Sequence, residues 1–141
     1  MTRIDFYFNA PDKADVARKL ATKAFNGGQN VLVYTCDAAR ARQLDLAFWS
    51  AQPMSFLPHV RCGHPLARQT PILIGAHPDE LASADILISL DDEPPEFFDR
   101  FQRLLEIVSS DDQDRSRARQ RYREYQQRGY SLQTHDLTEK S

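Results

Sequence analysis

Glycine is scarce in this sequence, and its few positions argue against the common phosphate-binding motifs. The chain of 141 residues contains five glycines. A dinucleotide site needs glycines directly after the first strand, but the corresponding turn here, Asn9–Asp12, contains none. The pattern Gly-x-x-x-x-Gly-Lys-Ser/Thr does not occur either. A nucleotide-binding enzyme therefore remains an alternative that rests on fold type alone.

Cysteine is rarer still, which argues against a disulfide framework and a zinc centre. Cys62-Gly63-His64 forms a single Cys-x-His without the second ligand pair that zinc sites usually have. Cys36 follows a predicted strand and precedes a helix, where nucleophiles can sit, although a small buried cysteine is more common there. We therefore expect no metal, no cofactor and no catalytic residue.

An excess of one charge and a long apolar run are also missing. The net charge of -2 differs from the basic balance of a generic DNA-binding domain. No apolar run approaches the roughly 20 residues of a membrane helix, and the first residues lack the apolar core of a signal peptide. We expect a cytoplasmic protein without a membrane segment. The charge is nevertheless segregated, because residues 115–128 contain six arginines and one acid, Glu124.

What the sequence does contain is an alternation of apolar runs and helical patterns. Helices are predicted from about Lys13 to Phe25, from Ala38 to Trp49, and from Ser110 or Asp111 to Arg128. Strands are predicted at Ile4–Phe8, Val31–Thr35, Pro71–Gly75 and Asp85–Leu90. Leu104–Val108 fits either the end of a short helix or a fifth strand, and we favour the strand. This order predicts an α/β fold with a mostly parallel sheet and a long C-terminal helix. We expect one domain over residues 1–132 and a flexible tail over 133–141.

The last predicted helix carries the most informative pattern. At about 100° per residue, Arg115, Arg119, Tyr122 and Gln126 fall on one stripe. A guanidinium beside an aromatic ring suits a carboxylate next to an apolar side chain. A solvated helix, a contact to a nucleic-acid backbone and an acidic peptide ligand all remain compatible with this stripe.

A second cluster combines aromatic and aliphatic side chains within ten residues. Its members are Phe48, Trp49, Met54, Phe56 and Leu57. Such residues are common in cores and are also enriched among interface anchors, so both interpretations stay open.

Four blocks of this sequence, taken in order, resemble the chi subunit family of bacterial DNA polymerase III. They are Asp5-Phe6-Tyr7-Phe8, Leu44-Asp45-x-Ala47-x-Trp49 with Ser55-Phe56-Leu57-Pro58-His59, Asp85-Ile86-Leu87-Ile88-Ser89-Leu90, and Ala118-Arg119-x-Arg121-Tyr122-x-x-Tyr125 with Gly129-Tyr130-x-Leu132. The resemblance implies a Rossmann-like three-layer domain without a nucleotide. It also implies a non-catalytic accessory subunit that acts in DNA replication.

Two protein partners follow from the resemblance. One is the acidic C-terminal tail of single-stranded-DNA-binding protein, which ends in Phe and would bring the subunit indirectly to single-stranded DNA. The matching positions are Arg115, Arg119, Tyr122, Val108, Arg121 and Gly129. The other partner is the psi subunit, which links chi to the clamp loader. The matching positions are Trp49, Phe56 and Phe48. Direct binding of single-stranded nucleic acid remains an alternative.

Overall fold

In the part of the chain that the structure describes, seven parallel strands form the sheet at the centre of the domain. The computed structural model describes residues 2–50 and 58–139. The strands are β1 (Arg3–Ala10), β2 (Val31–Tyr34), β3 (His59–Arg61), β4 (Ile72–Gly75), β5 (Ile86–Ser89), β6 (Arg103–Ser109) and β7 (Ser131–Asp136). Their order across the sheet is β3-β4-β2-β5-β6-β1-β7, and each neighbouring pair is parallel. The predicted α/β class with a parallel sheet is confirmed.

Three α-helices within residues 2–50 and 58–139 cover the two faces of this sheet. They are α1 (Lys13–Asn26), α2 (Ala38–Ser50) and α3 (Asp112–Gln127). Helices α1 and α2 bury Ala17, Ala21, Leu44 and Phe48 against one face. Helix α3 packs on the opposite face through its buried residues Ala118 and Tyr125. Short 3-10 turns lie at Ala67–Gln69, Pro78–Glu80, Phe98–Arg100 and Leu137–Glu139.

An aspartate starts each of the three helices. Asp12 accepts hydrogen bonds from the backbone of Ala14 at 3.0 Å, Asp37 from that of Ala39 at 2.9 Å, and Asp111 from that of Asp114 at 3.1 Å. These carboxylates satisfy amides that have no partner inside the helix and interact favourably with the positive helix end.

The two edges of the sheet differ from the prediction. Residues 133–136 were expected to belong to a loose tail, but they continue β7, which pairs with β1 from Arg3↔Ser131 to Phe8↔Asp136. His59–Arg61, which is not among the predicted strands, forms β3 at the other edge. Both strands are short and carry few apolar side chains, so their pairing comes from the neighbouring strand rather than from local pattern.

Among the described residues, no helix is long and apolar enough to cross a bilayer.

Candidate functional site

Helix α3 faces the sheet with its small and aromatic residues and leaves its basic stripe outside. Ala118 and Tyr125 are buried, whereas Arg115 and Tyr122 are half-buried and Arg119 is exposed. This division follows from the helical period, because residues three or four positions apart share a face. Arg115, Arg119 and Tyr122, three of the four side chains of the predicted stripe, therefore lie along one flank of the helix.

That flank borders a groove against strands β1 and β7. One recess of about 320 Å³ and a second of about 280 Å³ share Phe8, Arg119 and Thr134. We call the combined feature the α3–β7 groove. Its lining residues are Phe8, Asn9, Arg115, Arg119, Tyr122, Arg123, Thr134 and Asp136. The groove brings together Arg115, Arg119 and Tyr122 of the predicted site.

Aromatic packing fixes one end of the groove. The Phe6 ring stacks on the Phe8 ring with centroids 5.7 Å apart and planes 12° apart. The same Phe6 ring lies 5.6 Å from the Tyr122 ring. Because Phe6 is fully buried, it holds both neighbours in place at the surface. Two rings next to the Arg119 guanidinium form a surface that suits an apolar or aromatic group with a nearby negative charge.

The other end of the groove holds a carboxylate of the protein itself. Asp136 Oδ1 accepts hydrogen bonds from Thr138 Oγ1 at 2.6 Å, from the Thr138 backbone at 3.0 Å and from Asn9 Nδ2 at 2.9 Å. The Thr138 hydroxyl, followed by the Asn9 amide, lowers the pKa of Asp136 to about 2. The charge of Arg115 acts in the same direction. Asp136 is therefore ionised at neutral pH.

Arg121 lies on the opposite side of α3, inside the protein. Its Nε lies 3.2 Å from Glu106 Oε2, and its Nη1 donates to the backbone carbonyl of Asp92. Tyr125 donates its hydroxyl to the same Glu106 oxygen at 2.7 Å. Burial raises the pKa of Glu106, although Arg121 and Tyr125 oppose this effect. The resemblance led us to expect Arg121 on the surface that binds the tail, but only 6% of this residue is exposed, so it lies in the interior.

Val108 and Gly129 also lie elsewhere than on the walls of the groove. Val108 is 0% exposed and packs in the core on the α3 face of the sheet, so its expected place at the edge of a pocket is corrected. Gly129 is exposed and adopts a φ of 86° directly after α3, where the backbone turns toward β7. Phe8, Thr134 and Asp136 were missed because they come from strands far from α3 in sequence.

The second predicted cluster is divided between core and surface. Phe48 is 3% exposed and belongs to the core, so its expected place at an interface is corrected. Trp49 is 57% exposed, and its ring centroid lies 4.8 Å from that of the buried His59. Leu46, one turn before Trp49, is also exposed. Phe56, the third predicted residue, lies outside the described residues.

The carboxyl ends of the central strands, where nucleotides bind in related folds, carry negative charge. Asp91 accepts a hydrogen bond from the Cys36 backbone at 2.9 Å, and Asp37 caps the helix that follows. Both carboxylates occupy amides that would otherwise be available to phosphate. An anionic ligand at this edge would meet two negative side chains, which disfavours the nucleotide-binding alternative.

Fold and groove together define the chain as an α/β protein with an all-parallel sheet and an aromatic, basic groove beside its last helix. A family model described as "DNA polymerase III chi subunit, HolC" matches residues 1–133. The chain belongs to this family of accessory subunits in DNA replication.

Relatives of known identity align over most of the chain. DNA polymerase III subunit chi of Pseudomonas aeruginosa is 33% identical over 141 residues, which cover 97% of this chain and 98% of the relative. The Haemophilus influenzae subunit chi is 31% identical, with 87% and 86% covered. The Escherichia coli subunit chi is 32% identical, with 82% and 80% covered.

Proposed function

We propose that the protein is an accessory subunit without a catalytic site of its own, and that its α3–β7 groove binds the acidic C-terminal tail of single-stranded-DNA-binding protein. The observation that carries this proposal is the continuity of the groove. Arg115 and Arg119 lie in one recess, and Arg119, Tyr122 and Phe8 lie in the next. Positive charge and aromatic surface are therefore available to neighbouring groups of one ligand.

A peptide that ends in Phe offers matching chemistry within one residue. Its terminal carboxylate would pair with Arg119, and its ring would lie against Phe8 and Tyr122. The residues upstream of the terminal Phe would extend toward Arg115 in the adjoining recess. A guanidinium suits this task because it donates two parallel hydrogen bonds to a carboxylate.

The expected affinity is modest. Ordering a flexible tail costs several kcal/mol, so a short motif of this kind binds in the micromolar range, about -8 kcal/mol. Pairing in an exposed groove weakens as salt rises, since the screening length at 0.15 M salt is about 8 Å. Several tails on one strand of coated DNA would raise the effective concentration. The subunit would then reach single-stranded DNA through its protein partner.

We place the second partner at the other edge of the sheet. Trp49 and Leu46 present exposed apolar surface at the end of α2, and such residues are common interface anchors. The psi subunit would bind there and connect the protein to the clamp loader. The two surfaces lie at opposite edges of the sheet, so both partners could bind at once.

The direct test is a titration of a labelled, Asp-rich peptide ending in Phe. Arg119→Ala should lose tenfold or more in affinity, which corresponds to about 1.5–3 kcal/mol for a charged hydrogen bond. Arg117→Ala is the matched control, because Arg117 pairs with Asp92 on another side of α3. Equal affinity of Arg119→Ala and wild type would refute the proposal. Tight binding of bare single-stranded DNA with a steep salt dependence would favour the nucleic-acid alternative.

A further inference from the structure

The groove contains a negative charge that a receptor for acidic peptides would not be expected to carry. Asp136 lines the same recess as Arg115 and Arg119. The hydrogen bonds from Asn9 and Thr138 all end on its Oδ1. Among the described residues, none is found that ends on Oδ2. One carboxylate oxygen thus holds the side chain in place while the other remains available to a ligand.

The surrounding backbone keeps this carboxylate at the recess. Asp136 is the last residue of β7 and pairs with Phe8 of β1. Asn9, which donates one of the hydrogen bonds, adopts a φ of 63°, an uncommon conformation that asparagine tolerates better than most residues. The sheet and the turn at Asn9 therefore fix the backbone of Asp136, and hydrogen bonds from Asn9 and Thr138 hold its side chain in one rotamer.

The geometry points to Asp136 as a specificity-determining residue of the groove, one that disfavours an acidic side chain at the Arg115 end and favours a hydrogen-bond donor there. This inference rests on the proposed function of the groove. Asp136 neutralises part of the positive potential of Arg115, and it repels a carboxylate that enters the same recess. The recess at the Phe8–Tyr122 end has no carboxylate among its lining residues, so its attraction for a terminal Phe with its carboxylate is reduced less. The preferred ligand would be acidic near its end and carry a neutral or donor group at one position upstream.

The test compares Asp136→Asn with the wild type in the same peptide titration. Asparagine keeps the Oδ1 acceptor for Asn9 and Thr138, removes the charge, and replaces the Oδ2 acceptor with an NH2 donor. Glu124→Gln is the matched control, since Glu124 is exposed on α3 and lies in a recess with Arg117 and Gln120 outside the groove. Both variants change the net charge by one unit, so a difference between them reports the position of the charge. Thermal unfolding of all three proteins checks that the fold is retained.

We expect Asp136→Asn to bind the Asp-rich peptide about two- to fivefold more tightly than the wild type at low salt, with little change for Glu124→Gln. The ratio of the two affinities should fall toward one at high salt, because Asp136 is exposed to solvent and its charge is screened. The same comparison can be made with peptides that each carry a single Asp→Asn change. The gain in affinity of Asp136→Asn should disappear for the one peptide whose changed residue enters the recess of Asp136. A structural effect of the variant would instead change the affinity for every peptide.

The outcomes separate this inference from the proposed function. If binding depends on Arg119 while Asp136→Asn and Glu124→Gln have the same affinity, the role of Asp136 is overturned and the tail-binding function stands. If the wild-type protein binds the peptide without dependence on Arg119, both proposals are overturned. Weaker binding by Asp136→Asn would show that Asp136 assists the acidic ligand, and would also overturn the inference.

Discussion

Arg121 and Glu106 form a salt bridge in the interior, with the guanidinium Nε 3.2 Å from the carboxylate Oε2. The pair connects α3 to β6, and the Tyr125 hydroxyl donates a hydrogen bond to the same carboxylate oxygen. Because Arg121 points inward, the helical period turns Arg115, Arg119 and Tyr122 toward the groove. A charged contact inside the protein thereby defines which face of α3 is available to a ligand.

Removing Arg121 should destabilise the protein strongly. In Arg121→Ala the Glu106 carboxylate stays buried without its cation, and we expect a loss of about 3–5 kcal/mol in the free energy of unfolding at pH 7. Urea denaturation of both proteins measures this loss. Arg117→Ala should lose less than about 1 kcal/mol, since its pair with Asp92 is exposed. Similar losses for the two variants would contradict a structural role of the buried pair.

The loss in the free energy of unfolding caused by Arg121→Ala should depend on pH in a defined direction. Burial raises the pKa of Glu106 above its ordinary value, so the folded state binds a proton on Glu106 more readily than the unfolded state does. Stability linked to this group is present at low pH and is lost as the pH rises through the raised pKa. The difference between wild type and Arg121→Ala should therefore become smaller in acid, where the carboxyl is neutral.

The elements that could be predicted from sequence are those with a strong local signal. Strands β2 and β5 are short, wholly buried apolar runs, and the three helices begin at aspartate caps. Strand β7, with the sequence Ser-Leu-Gln-Thr-His-Asp, has one strongly apolar residue and is mostly exposed. Its conformation depends on pairing with β1, which is more than a hundred residues away. No local pattern contains that information.

The candidate site shows the same limit. Helical spacing alone places Arg115, Arg119 and Tyr122 on one flank. It does not indicate what faces that flank, and the facing residues Phe8 and Thr134 come from β1 and β7. A periodic pattern also treats Arg121 as one more cation of an exposed helix, because the buried partner Glu106 belongs to a different element. Contacts with other elements therefore determine both the opposite wall of the groove and the burial of Arg121.

Phe8 should contribute to the recognition of a terminal aromatic residue. Phe8→Ala removes one wall of the aromatic end of the groove, so we expect about a five- to tenfold weaker affinity for a peptide ending in Phe, in line with about 1–1.5 kcal/mol for an aromatic contact. A peptide ending in Ala provides the second arm of a double-mutant cycle. The Phe8 substitution should have little effect on that peptide. An equal loss for both peptides would place the terminal ring elsewhere.

Trp49 should contribute to the association with psi, whereas Phe48 should contribute to folding. Trp49→Ala removes an exposed ring and should reduce co-purification with psi without changing affinity for the tail peptide. Phe48→Ala empties part of the core and should lower the free energy of unfolding by about 3–5 kcal/mol. Undiminished recovery of psi with Trp49→Ala would contradict an interface at the end of α2.

Asp114 links the start of α3 to α1 and should make stability depend on pH. Its Oδ2 accepts hydrogen bonds from the Ser109 backbone at 2.8 Å and from Ser109 Oγ at 2.9 Å, and it lies 3.1 Å from Lys13 Nζ. Burial tends to raise the pKa of Asp114, but the Ser109 hydrogen bonds and the Lys13 charge outweigh it, and the pKa is lowered. The folded protein therefore holds this proton less tightly than the unfolded chain.

The sign of the effect follows from this lowered pKa. The stability contributed by Asp114 is complete above the unfolded pKa of about 3.9 and is lost as the pH falls through the folded pKa. Asp114→Asn should reduce the free energy of unfolding by about 1–2 kcal/mol at pH 7, because two hydrogen bonds lose their charged acceptor. The gap between the variant and the wild type should narrow below about pH 4. Denaturant unfolding at pH 7, 5 and 3 measures the difference in free energy of unfolding between the two proteins. A difference that stays constant across this range would show that the carboxylate charge of Asp114 has no part in holding α3 to α1.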